Sequence, residues 1–135
     1  MIILYILIKG VKIMRKLYHK DVFWNNNFEN ESKKLVNSVK YISFHLKEHL
    51  NNPDKKHIYK MSDIWNCLNK IKQNQGYLFE VETENGKVIK SVYRVTLNNE
   101  YDLCLVIRYS KIITAWLNKT NDIHKTLNIN KYEKI

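Results

Sequence analysis

The feature that most constrains this fold is a change of hydrophobic period at Gly76. Before it, residues 35–50 carry apolar side chains three and four positions apart, the spacing of an amphipathic helix, with Asn30 as the predicted cap. The stretch "MSDIWNCLNKIKQNQG" predicts a second helix, capped by Ser62 or Asp63 and ended by Gly76. After Gly76, apolar and polar residues alternate, as is typical of β-strands. The pattern predicts a helical first half and a β second half.

Turn signals divide the second half into four strands. Asn85-Gly86 between two alternating runs is the strongest short-range hairpin signal, and further turns are predicted at Asn98-Asn99 and Ser110-Lys111. The predicted fold class is α+β, with one or two N-terminal helices packed on a four-stranded antiparallel sheet. The stretch "VKYISFHL" also suits a strand, which leaves the end of the first helix open.

Length and composition indicate one domain with a real core, since the chain has 135 residues of which 44% are apolar. Cys67 and Cys104 stand in apolar runs without the spacing of metal ligands, which is typical of reduced core residues in a cytoplasmic protein. The opening "MIILYILIKG" is too short to span a bilayer and lacks the marks of a secretory signal. No membrane association is therefore expected.

Residues 1–13 have a second interpretation, as a translated leader that is not native to the protein. The stretch "KGVKIM" back-translates readily to a ribosome-binding sequence a few bases before a start codon at Met14. On this hypothesis the domain comprises residues 14–135. The alternative is a short buried N-terminal strand.

The net charge of +10 favours a polyanionic partner, either nucleic acid or an acidic membrane surface. Codon bias offers a competing explanation, because AT-rich genomes inflate Lys, Asn and Ile, and this chain is rich in all three. Charge alone therefore does not separate the two.

Alternation assigns each predicted strand two faces. One face is apolar and should lie under the helices; it comprises Ile89, Tyr93, Val95, Leu97, Leu103, Leu105, Ile107, Ile113, Ala115 and Leu117. The opposite face should form a polar groove; it carries Lys90, Val92, Arg94, Cys104, Val106, Arg108, Ile112, Thr114, Trp116 and Asn118. Arg forks pair with phosphate and an exposed indole stacks on unpaired bases, which indicates RNA binding. An ordinary solvated sheet face is the alternative.

The groove also carries residue types suited to cleaving RNA through its own 2′-hydroxyl. That reaction needs a base, a group that stabilises charge on phosphorus, and an acid for the leaving oxygen. His124 can supply proton transfer from the tail, Arg94 the charge stabilisation, and Thr114 and Tyr132 hydrogen-bond donors. His45 and His49 are four positions apart, but without a third ligand or an HExxH pattern no metal site and no cofactor are predicted.

The order of elements resembles that of the barnase–EndoU–colicin–RelE-like small endoribonucleases and toxins, in their phage or Firmicutes versions. "SFHLKEHL" is similar to their histidine-bearing segment, "VYRV" to the strand with a phosphate-binding arginine, and "IITAWLN…DIHKTLN…KY" to their last strand and tail. The resemblance spans roughly residues 38 to 132. It implies catalytic roles for His45, Arg94, Thr114 and His124, and substrate contacts for Lys90, Arg108, Trp116, Asn118 and Tyr132.

These observations predict a metal-independent endoribonuclease, with RNA as substrate, that acts as a toxin or in phage takeover of a host. An antitoxin or immunity protein is the expected protein partner. The second hypothesis is a non-catalytic nucleic-acid-binding protein that uses the same groove. The third is a structural or partner-binding phage protein whose charge reflects codon bias.

Overall fold

The fold begins with two strands, continues with three helices and one short strand, and ends with four consecutive strands and a short turn. The computed structural model describes residues 3–8, 11–52, 58–122 and 128–134, with side chains from Ile13 onward. Its elements in chain order are β1 (Ile3–Ile8), β2 (Val11–His19), α1 (Asn27–Asn37), β3 (Tyr41–Ile42), α2 (Phe44–Leu50), α3 (Met61–Lys72), β4 (Tyr77–Glu84), β5 (Lys87–Thr96), β6 (Tyr101–Arg108), β7 (Lys111–Lys119) and a 3-10 turn at Ile129–Lys131. The predicted α+β class is confirmed.

All the strands join one sheet in the order β1-β2-β4-β5-β6-β7-β3. Every neighbouring pair is antiparallel except β3 and β7, which are parallel, so the sheet is mixed. The four predicted strands are present as the adjacent β4 to β7. The prediction of a purely antiparallel four-stranded sheet preceded only by helices is wrong, because β1, β2 and β3 extend the sheet on both sides.

An N-terminal hairpin accounts for the extension on one side. β2 pairs with β4 through Arg15–His19, and β1 pairs with β2. The turn residue Asn85 secures this edge, since its side-chain oxygen accepts from the Met14 N–H at 3.0 Å and its own N–H donates to the Met14 carbonyl at 2.9 Å. Residues 3–8 and 11–13 of the predicted leader thus have strand conformation here. Whether they belong to the native protein stays a prediction for experiment.

The predicted first helix is two helices, α1 and α2, separated by β3. The strand alternative for "VKYISFHL" holds at Tyr41 and Ile42, which pair with Lys111 and Ile112 and interrupt the helix. Ser43 then starts α2, because its hydroxyl accepts from the Leu46 N–H at 3.2 Å and donates to the Ile113 carbonyl at 3.0 Å. The first helix also begins earlier than the predicted Asn30 cap, at Asn27.

The main core lies between the helices and one face of the sheet. α3 contributes Ile64, Leu68 and Ile71, as predicted, and the sheet contributes the predicted apolar face with two corrections. The pairing of β4 with β5 skips Ile89 at a bulge, and Val88 joins the main core in its place. A bulge in the pairing of Val106 and Ile107 with β7 places Ile112, and not Ile113, in this core. The alternation of apolar and polar residues in the sequence does not reveal the extra residue that the bulge adds to β7.

The other face of the sheet, called the open face here, has a small apolar centre. Phe79, Val92, Cys104 and Val106 are buried there with Ile113 packed against them. The segment after the 3-10 turn crosses its outer side, where the Glu133 N–H donates to the Leu17 carbonyl at 2.8 Å. Both cysteines are buried free thiols, as predicted.

Candidate functional site

The charged residues of the open face form a row across four strands. In the strand register Glu82 lies opposite Lys90, Lys90 opposite Arg108, and Arg108 opposite Lys111. We call these four residues the charged row. Directly opposed positions of one sheet face have neighbouring side chains, and opposite charges there attract each other. The register therefore brings one acidic side chain and three basic side chains together.

A second row lies beside it and is less polar. It runs from His19 on β2 through Glu80, Val92 and Val106 to Thr114 on β7. Glu80 and Glu82 flank Lys90, whose Nζ is 3.9 Å from Glu80 Oε2 and 3.7 Å from Glu82 Oε2. The lysine thus lies between two carboxylates.

Glu82 has an oxygen that is buried without a hydrogen bond from any described residue. That oxygen, Oε1, lies 4.0 Å from Nη1 of Arg108, and the side chains of both residues are partly exposed. A buried acceptor without a donor is energetically costly, so such positions concentrate where a structure has a chemical task. Among the described residues, Glu82 Oε1 and Asp102 Oδ1 are the oxygens in this state, and the one on Glu82 lies in the charged row.

Tyr132 holds the second carboxylate, that of Glu80, from the outer side, and His19 contacts Tyr132. The buried Tyr132 hydroxyl donates to Glu80 Oε1 at 2.5 Å, and its ring meets His19 edge-on at 5.0 Å. Burial, and then the hydrogen bond and charge of Glu80, raise the pKa of Tyr132 well above its usual value, so the phenol stays a donor. Nδ1 of His19 accepts the Asp21 N–H at 3.0 Å, which leaves Nε2 to carry the proton of the neutral ring.

Arg94, the predicted phosphate-binding arginine, is bound within the fold. Its Nε lies 2.5 Å from Asp102 Oδ2, and its two Nη atoms donate to the carbonyls of Lys119 and Asp122 at 2.8 and 3.1 Å. These contacts fix the chain that leaves β7. An open phosphate clamp is better supplied by Arg108 and Lys90.

His45 and His124 are not seen together at this site. His45 is exposed on α2, beside Leu46 of the main core. That helix packs against β7, and β6 lies between β7 and the strand of Arg94, β5. His124 lies outside the described residues. Both catalytic roles therefore stay predictions.

The remaining predicted residues share the open face with the charged row. Thr114 and Trp116 are exposed on β7, next to Val106 and Cys104 on β6. Asn118 is half-buried and donates to the Cys104 sulfur at 3.5 Å. Burial raises the pKa of the Cys104 thiol to about 12. The thiol is therefore protonated, belongs to the apolar centre of the open face and is not a nucleophile.

Sequence reasoning missed Glu80, Glu82 and His19. A signal was present, because "FEVETE" places a glutamate at every second position and so on one face of a strand. The basic composition drew attention to Lys and Arg instead. His19 could be interpreted only once β2 was known to lie beside β4.

Within the part of the chain that the structure describes, no group of three or more His, Cys, Asp or Glu side chains is arranged to hold a metal ion. None of its helices has the length and apolar character needed to cross a membrane.

Comparison with known proteins adds no relative. No family model matches this chain, and neither the curated proteins nor the solved structures compared with it give a match. The resemblance to small endoribonucleases therefore stays a prediction, and the functional argument rests on the geometry of the open face.

Proposed function

We propose that the open face cleaves RNA by attack of a ribose 2′-hydroxyl on the adjacent phosphate, without a metal ion. The observation that carries this proposal is the charged row, in which Glu82 is opposed by Lys90 and neighboured by Arg108. A carboxylate beside fixed cations on a partly exposed surface provides a proton acceptor next to a site for phosphate.

Each role follows from the chemistry of the side chain. Glu82 accepts the proton of the 2′-hydroxyl while the 2′-oxygen bonds to phosphorus. Arg108 and Lys90 then stabilise the added negative charge on the phosphorane oxygens. The bond from phosphorus to the 5′-oxygen breaks, leaving a 2′,3′-cyclic phosphate, and the 5′-oxygen takes a proton from an acid. His45 and His124 stay the sequence-based candidates for that acid.

Contacts to the RNA strand would come from β7. Trp116 is 38% exposed, enough for its indole to stack on a base. Thr114 lies two residues before Trp116 on β7 and on the same face of the sheet. Tyr132, packed against His19, would act by holding Glu80, which in turn helps to orient Lys90.

The biological role proposed with this chemistry is that of a toxin or a nuclease of host takeover. Its expected targets are messenger or transfer RNA, and an antitoxin or immunity protein would restrain it in the producing cell. The net charge of +10 supports a polyanionic substrate.

The test is cleavage of labelled RNA in EDTA by the wild-type protein and by Glu82→Gln. We expect the wild type to cleave RNA but not its 2′-O-methyl analogue, and the variant to be slower by about 10²–10⁴-fold, the range for a general base. Glu84→Gln is the matched control, because Glu84 lies on the same strand in an ion pair with Arg15, outside the charged row. Cleavage by Glu82→Gln at the wild-type rate would refute the assignment.

A binding protein without catalysis is the second candidate, and the exposed Trp116 favours it equally. Base stacking and phosphate contacts need no proton transfer. Tight binding of RNA that stays intact in the wild type, with affinity reduced in Trp116→Ala, would establish this alternative in place of the nuclease.

A further inference from the structure

We propose a second RNA contact at the β3 edge of the sheet, which binds a nucleotide of the single strand flanking the scissile phosphate. It consists of Tyr41, Phe44, Lys47 and Lys111, called the edge subsite here. Tyr109, two residues before Lys111, lines the neighbouring cavity and flanks the subsite. The proposal rests on the proposed function for its substrate. Its ligand is a base for the aromatic rings and a phosphate for the lysines.

The edge subsite continues the charged row. Lys111 ends the row on β7, and it pairs in register with Tyr41 on β3. Strands in a sheet are about 4.8 Å apart, so the path from Glu82 to Tyr41 crosses four spacings, or about 19 Å. A strand bound at Arg108 therefore reaches Tyr41 by following one line of cations.

Unusual exposure marks the aromatic residues of this edge. Tyr41 is 54% exposed, Phe44 74% and Tyr109 55%. Large aromatic rings ordinarily contribute to a core or to an interface, and the exposed pair Tyr41 and Phe44, with Tyr109 at the adjacent cavity, indicates a surface that is covered during function. A shallow cavity of about 390 Å³ is lined by Tyr41, Phe44, Lys47 and Lys111, together with Ile42 and Ser43.

The backbone of Tyr109 gives an independent indication. Its φ is +54°, in the left-handed region that a bulky side chain rarely occupies. The chain has suitable residues for such turns, since Asn85 and Gly86 take φ of +51° and +83° in the β4–β5 hairpin. An aromatic residue kept at a strained position, with Arg108 Cζ 5.5 Å from its ring, indicates a functional use of that ring.

Charge favours RNA over a protein at this surface. Lys47 and Lys111 flank the aromatic rings, and interface cores between proteins are depleted in lysine. Single-stranded nucleic acid sites combine the same two components, a basic track for the backbone and rings for the bases.

The experiment measures binding of fluorescent 2′-O-methyl oligoribonucleotides, which cannot be cleaved through the 2′-hydroxyl, as their length increases. We expect wild-type affinity to rise once the oligonucleotide spans both the charged row and the edge subsite. Phe44→Ala and Tyr41→Ala should lose that gain, by roughly 5- to 150-fold for each stacked base. Trp65→Ala is the control, since Trp65 is an exposed aromatic residue on α3 and should change nothing.

Tyr109→Gly separates function from folding. Glycine relieves the left-handed strain, so the melting temperature should stay the same or rise while the affinity for long oligonucleotides falls. Cleavage of short RNA should persist in Phe44→Ala and slow by about 10²–10⁴-fold in Glu82→Gln, which distinguishes the two proposals. Length-dependent binding without any cleavage would refute the nuclease and keep the edge subsite.

Three results would overturn the edge subsite. They are equal length dependence in the wild type and Phe44→Ala, no RNA affinity in the wild type, and dissociation of a wild-type dimer by Phe44→Ala. The last result would make these rings an interface between copies of the chain.

Discussion

The guanidinium of Arg94 is committed to three oxygens of the fold, and one of them belongs to the buried Asp102. Asp102 Oδ1 already lacks a hydrogen bond from the described residues. Arg94→Ala should therefore cost about 3–5 kcal/mol of unfolding free energy, as expected when one partner of a buried ion pair is removed. Urea denaturation measures the loss. The double variant Arg94→Ala/Asp102→Ala should recover part of it, whereas an unchanged stability in Arg94→Ala would return this residue to the list of open phosphate ligands.

We expect Tyr132 to make the unfolding free energy depend on pH in the alkaline range. Its pKa is raised in the folded state, mainly by burial, so the stability from its protonated form is complete below the unfolded value of about 10 and declines above it. The wild type should lose up to about 1.4 kcal/mol per pH unit through this group. Tyr132→Phe should show a shallower decline in denaturation experiments between neutral and alkaline pH. Tyr93→Phe offers a comparison, because burial also raises the pKa of Tyr93; identical slopes for wild type and Tyr132→Phe would contradict the assignment.

At the scale of elements, Ser43 caps the N-terminus of α2 and so separates α2 from α1. Its hydroxyl bonds the Leu46 N–H and the Ile113 carbonyl, joining α2 to β7. Ser43→Ala should destabilise the protein by about 1 kcal/mol, the usual cost of losing a cap. The melting temperature measures this. Ser62→Ala is the matched control, since Ser62 was a predicted cap but lies inside α3, where alanine is favourable; a larger loss there than at Ser43 would argue against the capping role.

The elements that sequence could predict were those set by local signals. Asn85-Gly86 specified its hairpin, and the alternation of β5 to β7 placed Lys90, Arg108, Thr114 and Trp116 on one face, as the register has them. For Tyr41 and Ile42 the sequence left helix and strand open, because a distant strand, β7, decides their conformation. The same cause hid Glu82, whose importance depends on its neighbours Lys90 and Arg108 and not on any local motif.

At the scale of the whole molecule, the contribution of the N-terminal hairpin to the fold can be tested by deletion. Deleting residues 1–13 removes β1 and the start of β2 but leaves the pairing of Arg15–His19 with β4, including the His19 contact to Tyr132. The leader hypothesis expects melting temperature and RNA binding to stay almost unchanged. Differential scanning fluorimetry and anisotropy would measure both. A loss of several degrees would mean that the hairpin is an integral part of the sheet.

The crossing of the open face by Tyr132 and Glu133 has a consequence for biosynthesis. Glu80 obtains its hydrogen bond, and β2 its outer contact at Leu17, from a segment that is translated after every strand. A nascent chain can form its hairpins early, but it cannot orient this carboxylate until that segment has left the ribosome. The placement of Glu80 beside Lys90 is therefore completed only after all the strands that carry the charged row have been synthesised.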